Sequence, residues 1–137
     1  MTRQRILLLE TDGALQGVLC DLFGYEGLEV TVCNSLAELQ AGVRQYPRAA
    51  VVSDSWATGD YVALSPKHRA EIVELASTAE VVLTTGQRWG RQILNGELGS
   101  VAIVEKPYDM DRLMSAVRAA LERRSRQLSA VNRQRVG

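Results

Sequence analysis

The sequence is poor in several residue types, and each shortage excludes a class of protein. Its 137 residues include only two cysteines and one histidine. Cys20 and Cys33 lie within apolar patterns and not in a paired framework, which indicates buried thiols in a reducing compartment, the cytoplasm by default. With His68 as the single histidine, the sequence offers no Ser/His or Cys/His catalytic arrangement and no His/Cys metal cluster.

Long apolar runs and an excess of one charge are also missing. The longest apolar run near the N-terminus, Ile6–Leu9, is too short for a signal-peptide core or a membrane span. The 16 basic and 16 acidic residues give a net charge of +0, so the chain has no electrostatic case for binding nucleic acid or a membrane. With 46% hydrophobic and 23% charged residues, it has the composition and length of one globular domain.

Five short apolar runs recur along the chain and predict five β-strands. Four of them are nearly unbroken, which is typical of parallel strands covered on both faces. The second alternates apolar and polar residues, which favours an edge strand with one wetter face. In order, the runs are Ile6–Leu9, Leu28–Cys33, Ala49–Val52, Val81–Leu83 and Val101–Val104.

Between these runs the apolar spacing becomes helical. Ser35 followed by Glu38 predicts a capping box, Ser65-Pro66 predicts a helix start, and Asp109 predicts the cap of the last helix. A short helix ended by Gly96 is expected around residues 93–94. The apolar stripes are expected at Leu15, Val18, Leu19 and Leu22, then Leu36, Leu39 and Val43, then Ile72 and Leu75, and last Met110, Leu113, Met114, Val117 and Leu121.

This alternation predicts a doubly wound α/β fold, with a parallel sheet, right-handed crossovers and helices on both faces. We expect one domain over residues 1–123. The Arg-rich segment 124–137 predicts either a helical extension of that domain or a linker to something outside this chain.

Polar residues follow four of the five apolar runs, at the sheet edge where open α/β proteins bind ligands. Their types are complementary, because carboxylates, hydroxyls and one ammonium group would meet there. They are Glu10, Thr11 and Asp12 after the first run, Ser53 and Asp54 after the third, Thr84 and Thr85 after the fourth, and Glu105 and Lys106 before Pro107 after the fifth.

The segments ILLLETD, AVVSD, VVLTT and VEKP resemble the response-regulator receiver domains of two-component signalling, over about residues 5–123. The resemblance implies a flavodoxin-like sheet in the order 2-1-3-4-5. It also implies that Asp54 accepts a phosphoryl group from a histidine kinase or a phosphotransfer protein. Thr84 would contact the phosphoryl oxygens and Lys106 would pair with them. Such a domain modifies itself and turns over no diffusing substrate, so we do not class it as an enzyme.

The same resemblance implies a Mg²⁺ site made by Glu10, Asp12, Asp54 and the backbone carbonyl of Trp56. A hard cation with oxygen ligands would relieve the repulsion between clustered carboxylates. The face of the fourth and fifth predicted helices and the fifth strand is expected to contact an output domain or a second copy.

Three positions depart from the receiver pattern. Thr11 stands where the family usually has a second acid, Thr58 replaces a common proline, and Ile103 replaces a common aromatic residue. These departures favour an alternative, a phosphorylation-independent pseudo-receiver that acts as a protein-protein interaction module. A flavodoxin-type flavin protein is disfavoured because ETDGALQG has few of the hydroxyl residues of a phosphate loop. A dinucleotide-binding enzyme is disfavoured because G-x-G-x-x-G is absent.

Overall fold

The computed structural model describes residues 3–54, 56, 65–86, 98 and 101–136, with side chains of the last helix as far as residue 131. Strands and helices alternate over the described residues as far as β4, and β5 and the last helix follow. They are β1 (Arg5–Leu9), α1 (Gly13–Tyr25), β2 (Glu29–Val32), α2 (Leu36–Gln45), β3 (Ala50–Ser53), α3 (Pro66–Ala76), β4 (Glu80–Thr85), β5 (Val101–Glu105) and the C-terminal helix α4 (Met110–Val136).

The five strands form one parallel sheet in the order β2-β1-β3-β4-β5, which confirms the predicted flavodoxin-like α/β topology. Each predicted strand is present, with bounds shifted by one or two residues. Strand β2 lies at an edge of the sheet, as its alternating pattern predicted. The register places Leu9 opposite Ser53 in β3, so β1 and β3 end side by side.

Two hydrophobic layers cover the two faces of the sheet. One contains Leu7 and Val51 of the sheet and is closed by α2 and α3. The other contains Leu8 and Val52 and is closed by α1 and α4. Because successive side chains of a strand point to opposite faces, each central strand contributes to both layers. This double coverage explains the nearly unbroken apolar runs.

The predicted helix caps are confirmed. Ser35 Oγ accepts from the backbone N–H of Glu38 at 3.1 Å, and Ser65 Oγ accepts from that of His68 at 3.1 Å. Asp109 Oδ1 accepts from the N–H of Arg112 at 2.7 Å. Each cap satisfies a donor that the first helical turn leaves without a partner.

One predicted stripe was wrong in detail. Val18 of α1 is 51% exposed, whereas Phe23, which the sequence pattern left out, is fully buried beside Leu19. The stripe of α1 therefore passes through Leu19 and Phe23, four residues apart, and leaves Val18 on the outer face. Val32 at the edge of the sheet is likewise 38% exposed, because β2 has a neighbour on one side only.

The C-terminal helix is continuous from Met110 to Val136, so the segment after residue 123 is helical. The domain boundary at residue 123 stays a prediction. The short helix expected around residues 93–94 falls outside the described residues. Within the part of the chain that the structure describes, no helix is both long enough and apolar enough to cross a membrane.

Candidate functional site

Three charged side chains converge at the carboxyl edge of the sheet. Glu10 follows β1, Asp54 follows β3 and Lys106 follows β5. The first two strands are neighbours, which brings the two carboxylates together. Strand β5 lies beyond β4, so only a long side chain can reach back to them. Lys106 has that length, and its backbone N–H is held by Thr85 O at 2.7 Å.

The Lys106 ammonium group bridges the two carboxylates. Its Nζ atom lies 3.1 Å from Glu10 Oε1 and 3.2 Å from Asp54 Oδ2. The side chains of Glu10 and Asp54 are only 1% and 2% exposed, while that of Lys106 is 25% exposed. Two carboxylates buried at this depth need a cation or a proton, and Lys106 supplies the cation.

Thr11 closes the opposite side of Asp54. Its backbone N–H lies 3.0 Å from Oδ1 and 3.1 Å from Oδ2, and its hydroxyl donates to Oδ2 at 2.7 Å. Hydrogen bonds to an ionised acceptor are stronger than neutral ones. The residue that replaces the usual second acid therefore binds the proposed phosphoacceptor directly.

The structure brings Glu10 and Asp54 together but turns Asp12 away from them. Asp12 Oδ1 accepts from the N–H groups of Ala14 and Leu15 at 3.0 and 3.1 Å and caps α1, and Asp12 itself is exposed. Among the described residues, no three histidine, cysteine, aspartate or glutamate side chains form a group suited to a metal ion.

A magnesium site with only two carboxylate ligands nevertheless fits the residues present. Mg²⁺ in phosphate-binding sites is held by one or two carboxylates and keeps several waters. Glu10 and Asp54 provide two carboxylates at one edge of the sheet. The role of Mg²⁺ itself, and of Asp12 and the Trp56 carbonyl as ligands, stays a prediction.

The pKa values of the Glu10 and Asp54 carboxyl groups are shifted in opposite directions. Burial raises the pKa of Glu10, and the neighbouring Asp54 adds to the rise. Burial also acts to raise the pKa of Asp54, but hydrogen bonding with Glu10 and Thr11 and the charge of Lys106 outweigh it, so this pKa is lowered. Asp54 therefore stays ionised when the pair takes up a proton, which is the state that a nucleophilic carboxylate requires.

Among the described residues, no hydrogen bond joins the remaining predicted site residues to Asp54. Thr84 lies at the end of β4 and is buried, and within the described residues it makes no hydrogen bond to Asp54. The Trp56 side chain is buried in the layer of α2 and α3. Ile103 lies in β5 and is half-buried. Thr58 lies outside the described residues.

The sequence reasoning missed Tyr108. Its hydroxyl is buried and has no hydrogen-bond partner in the described part of the chain. Burial, together with the negative charges of Glu10 and Asp54, raises the pKa of Tyr108 to about 12. Its position two residues after Lys106, at the end of β5, was the sequence signal that could have placed it near the site. The Lys106-Pro107 peptide bond before it is cis.

Comparisons with known proteins place this geometry in a fold. No family model and no curated protein sequence matches the chain. Solved structures do match, and most of them are response-regulator receiver domains. A receiver protein from Sinorhizobium medicae WSM419 is 20% identical, with a TM-score of 0.63 over 89% of this chain and 97% of that one. The response regulator StyR is 14% identical, with a TM-score of 0.73 over 97% of this chain and 66% of that one.

A structure described as adenylate cyclase from Rhodopirellula baltica is also similar, with 18% identity and a TM-score of 0.74 over 98% of both chains. Full-length FixJ from B. japonicum is 21% identical, with a TM-score of 0.66, and this chain spans 90% of its own length but 60% of FixJ. Similarity at these identities concerns the fold. The chain thus has the receiver fold.

Proposed function

We propose that this chain is a phosphoacceptor domain in which Asp54 takes a phosphoryl group from a histidine kinase or a phosphotransfer protein. The observation that supports the proposal best is the Lys106 ammonium group, held 3.2 Å from Asp54 at the carboxyl edge of a receiver fold. A lysine is a compact point charge suited to a phosphoryl oxygen. The lowered pKa of Asp54 supports the same role because it keeps the carboxylate ionised.

In the proposed reaction, an oxygen of Asp54 attacks the phosphorus of a phosphohistidine. A P–O bond forms, the P–N bond breaks, and the imidazole leaves with the electron pair and takes up a proton. Lys106 then moves its hydrogen bond from the carboxylate to the transferred group and offsets its charge. Glu10 and Asp54 would hold Mg²⁺, which when bound neutralises part of the phosphoryl charge.

We infer the class of partner from the fold. Matched regulators such as FixJ are longer than this chain, so a receiver can be one part of a larger protein. We extend this to an output domain or a second copy contacting the face of β5 and the C-terminal helix, and we keep the cytoplasmic location expected from the cysteines. Cys20 and Cys33, both in described segments, are free. The cyclase description belongs to the matched protein and is not transferred.

A second candidate function is a phosphorylation-independent interaction module of the same fold. The observation that favours it is Thr11, whose hydroxyl and N–H occupy both oxygens of Asp54. With Lys106 on the other side, the buried carboxylate already has the partners that an aspartyl phosphate would need to displace. A domain locked in this way would bind its partner in one state only.

The test is a titration with Mg²⁺, with and without beryllofluoride as a mimic of aspartyl phosphate, followed by tryptophan fluorescence. Trp56 is buried two residues from Asp54, so occupation of the site should change its emission. The variants are Asp54→Asn, Thr11→Asp and, as a matched control on the exposed face of α1, Asp21→Asn. Circular dichroism confirms that each variant is folded.

Three outcomes are distinguishable. A saturable change that needs Mg²⁺, is lost in Asp54→Asn and is kept in Asp21→Asn supports the phosphoacceptor. A silent wild type whose Thr11→Asp variant responds supports the second candidate, because the fold is then competent and only the metal ligand is missing. If the wild type and the Thr11→Asp variant are both folded and both silent, Asp54 is rejected as a phosphoacceptor.

A further inference from the structure

The middle of the C-terminal helix, around residues 123–127, is held against the amino edge of the sheet, at the opposite edge from Asp54. Glu80 begins β4 and is 1% exposed. Its carboxylate accepts from Arg123 Nε at 3.3 Å and from Gln127 Nε2 at 3.0 Å. On the next helical position, Arg124 Nε donates to Pro47 O at 2.8 Å. These contacts hold this part of α4 against the sheet, so it is not a free tail.

A groove with a volume of about 880 Å³ lies between α4 and the start of β1. Its helical side presents Leu121, Leu128 and Val131, which lie along one face of α4. Leu121 is buried, Leu128 is half-buried and Val131 is 46% exposed. The apolar surface therefore continues outward from the core into the open groove.

The other side of the groove is basic. Arg3, Arg5 and Arg48 line it, and none of the described lining residues is acidic. Arg5 is already engaged, because it pairs with Glu29 and lies 4.1 Å from the ring centroid of Tyr46. Arg3 and Arg48 are exposed and form no ion pair with any carboxylate of the described chain.

We infer that this groove binds an acidic amphipathic segment of another protein. The argument is charge complementarity, since an apolar stripe beside two unpaired arginines matches a helix with leucines on one face and glutamates beside them. The nearby carboxylates Glu29 and Glu80 do not oppose such a partner, because each is paired with an arginine. The surface lies at the opposite edge of the sheet from Asp54, so this inference is independent of the proposed function.

The probe is a fluorescein-labelled synthetic helix with leucines at i, i+3, i+4 and i+7 and glutamates at the flanking positions. A scrambled peptide of the same composition has the same charge but no stripe. Binding is followed by fluorescence anisotropy with the full chain. Arg48→Glu tests the basic side and Val131→Ser tests the apolar side. The matched controls on α3 are Lys67→Glu and Val73→Ser, both at exposed positions.

We expect saturable binding of the patterned peptide that Arg48→Glu weakens by about tenfold or more, which corresponds to the loss of one favourable charge contact. Val131→Ser should weaken binding by a few fold, as expected for one partly buried apolar group, and the two α3 controls should leave it unchanged.

The inference is overturned if the patterned peptide does not bind, or if the scrambled peptide binds equally well. It is also overturned if the α3 controls weaken binding as much as the groove variants. Sedimentation velocity is run in parallel. Self-association of the wild type that Val131→Ser abolishes would assign the groove to a second copy and reject the acidic partner.

Discussion

Replacing Lys106 by methionine tests whether the site is held together by charge. The substitution keeps the length of the side chain but removes the only cation that the described residues place between Glu10 and Asp54. Breaking a buried ion pair by removing one partner costs about 3–5 kcal/mol. The quarter exposure of Lys106 reduces this figure, because solvent already screens part of the attraction.

The protein can limit the loss by protonating Glu10, whose pKa is already raised. The cost of that protonation is about 1.4 kcal/mol for each pH unit above the unfolded pKa of about 4.3, so it sets a ceiling near 3.7 kcal/mol at pH 7 and near 1 kcal/mol at pH 5. We therefore expect Lys106→Met to lower the free energy of unfolding by about 2–3.5 kcal/mol at pH 7 and by about 1 kcal/mol or less at pH 5.

The sign follows from linkage. An acid whose pKa is raised on folding adds stability below its unfolded pKa and loses it as pH rises through its folded pKa. Urea unfolding at both pH values measures the difference, with Lys67→Met on the exposed face of α3 as the control, expected within about 0.5 kcal/mol of wild type. A loss of equal size at pH 5 and pH 7, or no loss at pH 7, would refute the reasoning.

Three further predictions concern single contacts. Glu10→Gln should gain stability relative to wild type as pH rises from about 4 upward, because it removes the carboxyl group whose pKa folding raises; parallel curves of unfolding free energy against pH would contradict this. Gly42→Ala should be less favourable than Gly17→Ala by about 1–3 kcal/mol, because its new Cβ would lie 3.0 Å from the buried side chain of Leu7 in β1, whereas Gly17 has open space around it. Both changes gain about 0.5–1 kcal/mol of helix stability, so Gly17→Ala should stabilise the protein. Thermal or urea unfolding measures both variants, and equal effects would contradict the packing. Arg123→Ala should cost more stability than Glu80→Gln, by about 1 kcal/mol, because only the first leaves a buried carboxylate without its cation; urea unfolding showing the reverse order would contradict that pairing.

Local patterns determined most of the secondary structure. The caps at Ser35, Ser65 and Asp109 could be predicted because the capping oxygen and the backbone N–H that donates to it lie three residues apart. The strands could be predicted because a sheet covered on both faces requires an unbroken apolar run. The strand order did not follow from periodicity, and the resemblance of four short segments supplied it.

The site was only partly predictable, because its contacts join residues far apart in the chain. Residue types and strand ends alone predict that Glu10, Asp54 and Lys106 lie at one edge of the sheet. The structure decided that Lys106 reaches Glu10 across 96 sequence positions, and that Thr11 donates to Asp54 across 43. It also turned Asp12 into a helix cap, a choice between two uses of one carboxylate that depends on the local turn.

The amino edge of the sheet also separates what local sequence predicts from what tertiary packing decides. A charged residue at the start of a strand, such as Glu80, is expected at the surface, yet here it is buried. Its burial depends on Arg123 and Gln127, which come 43 and 47 positions later on a helix whose length the Arg-rich tail left open. Sequence alone determined which elements form, since these depend on neighbouring residues. Tertiary packing decided which charges meet, since the ion pairs and the groove exist only where distant elements are brought into contact.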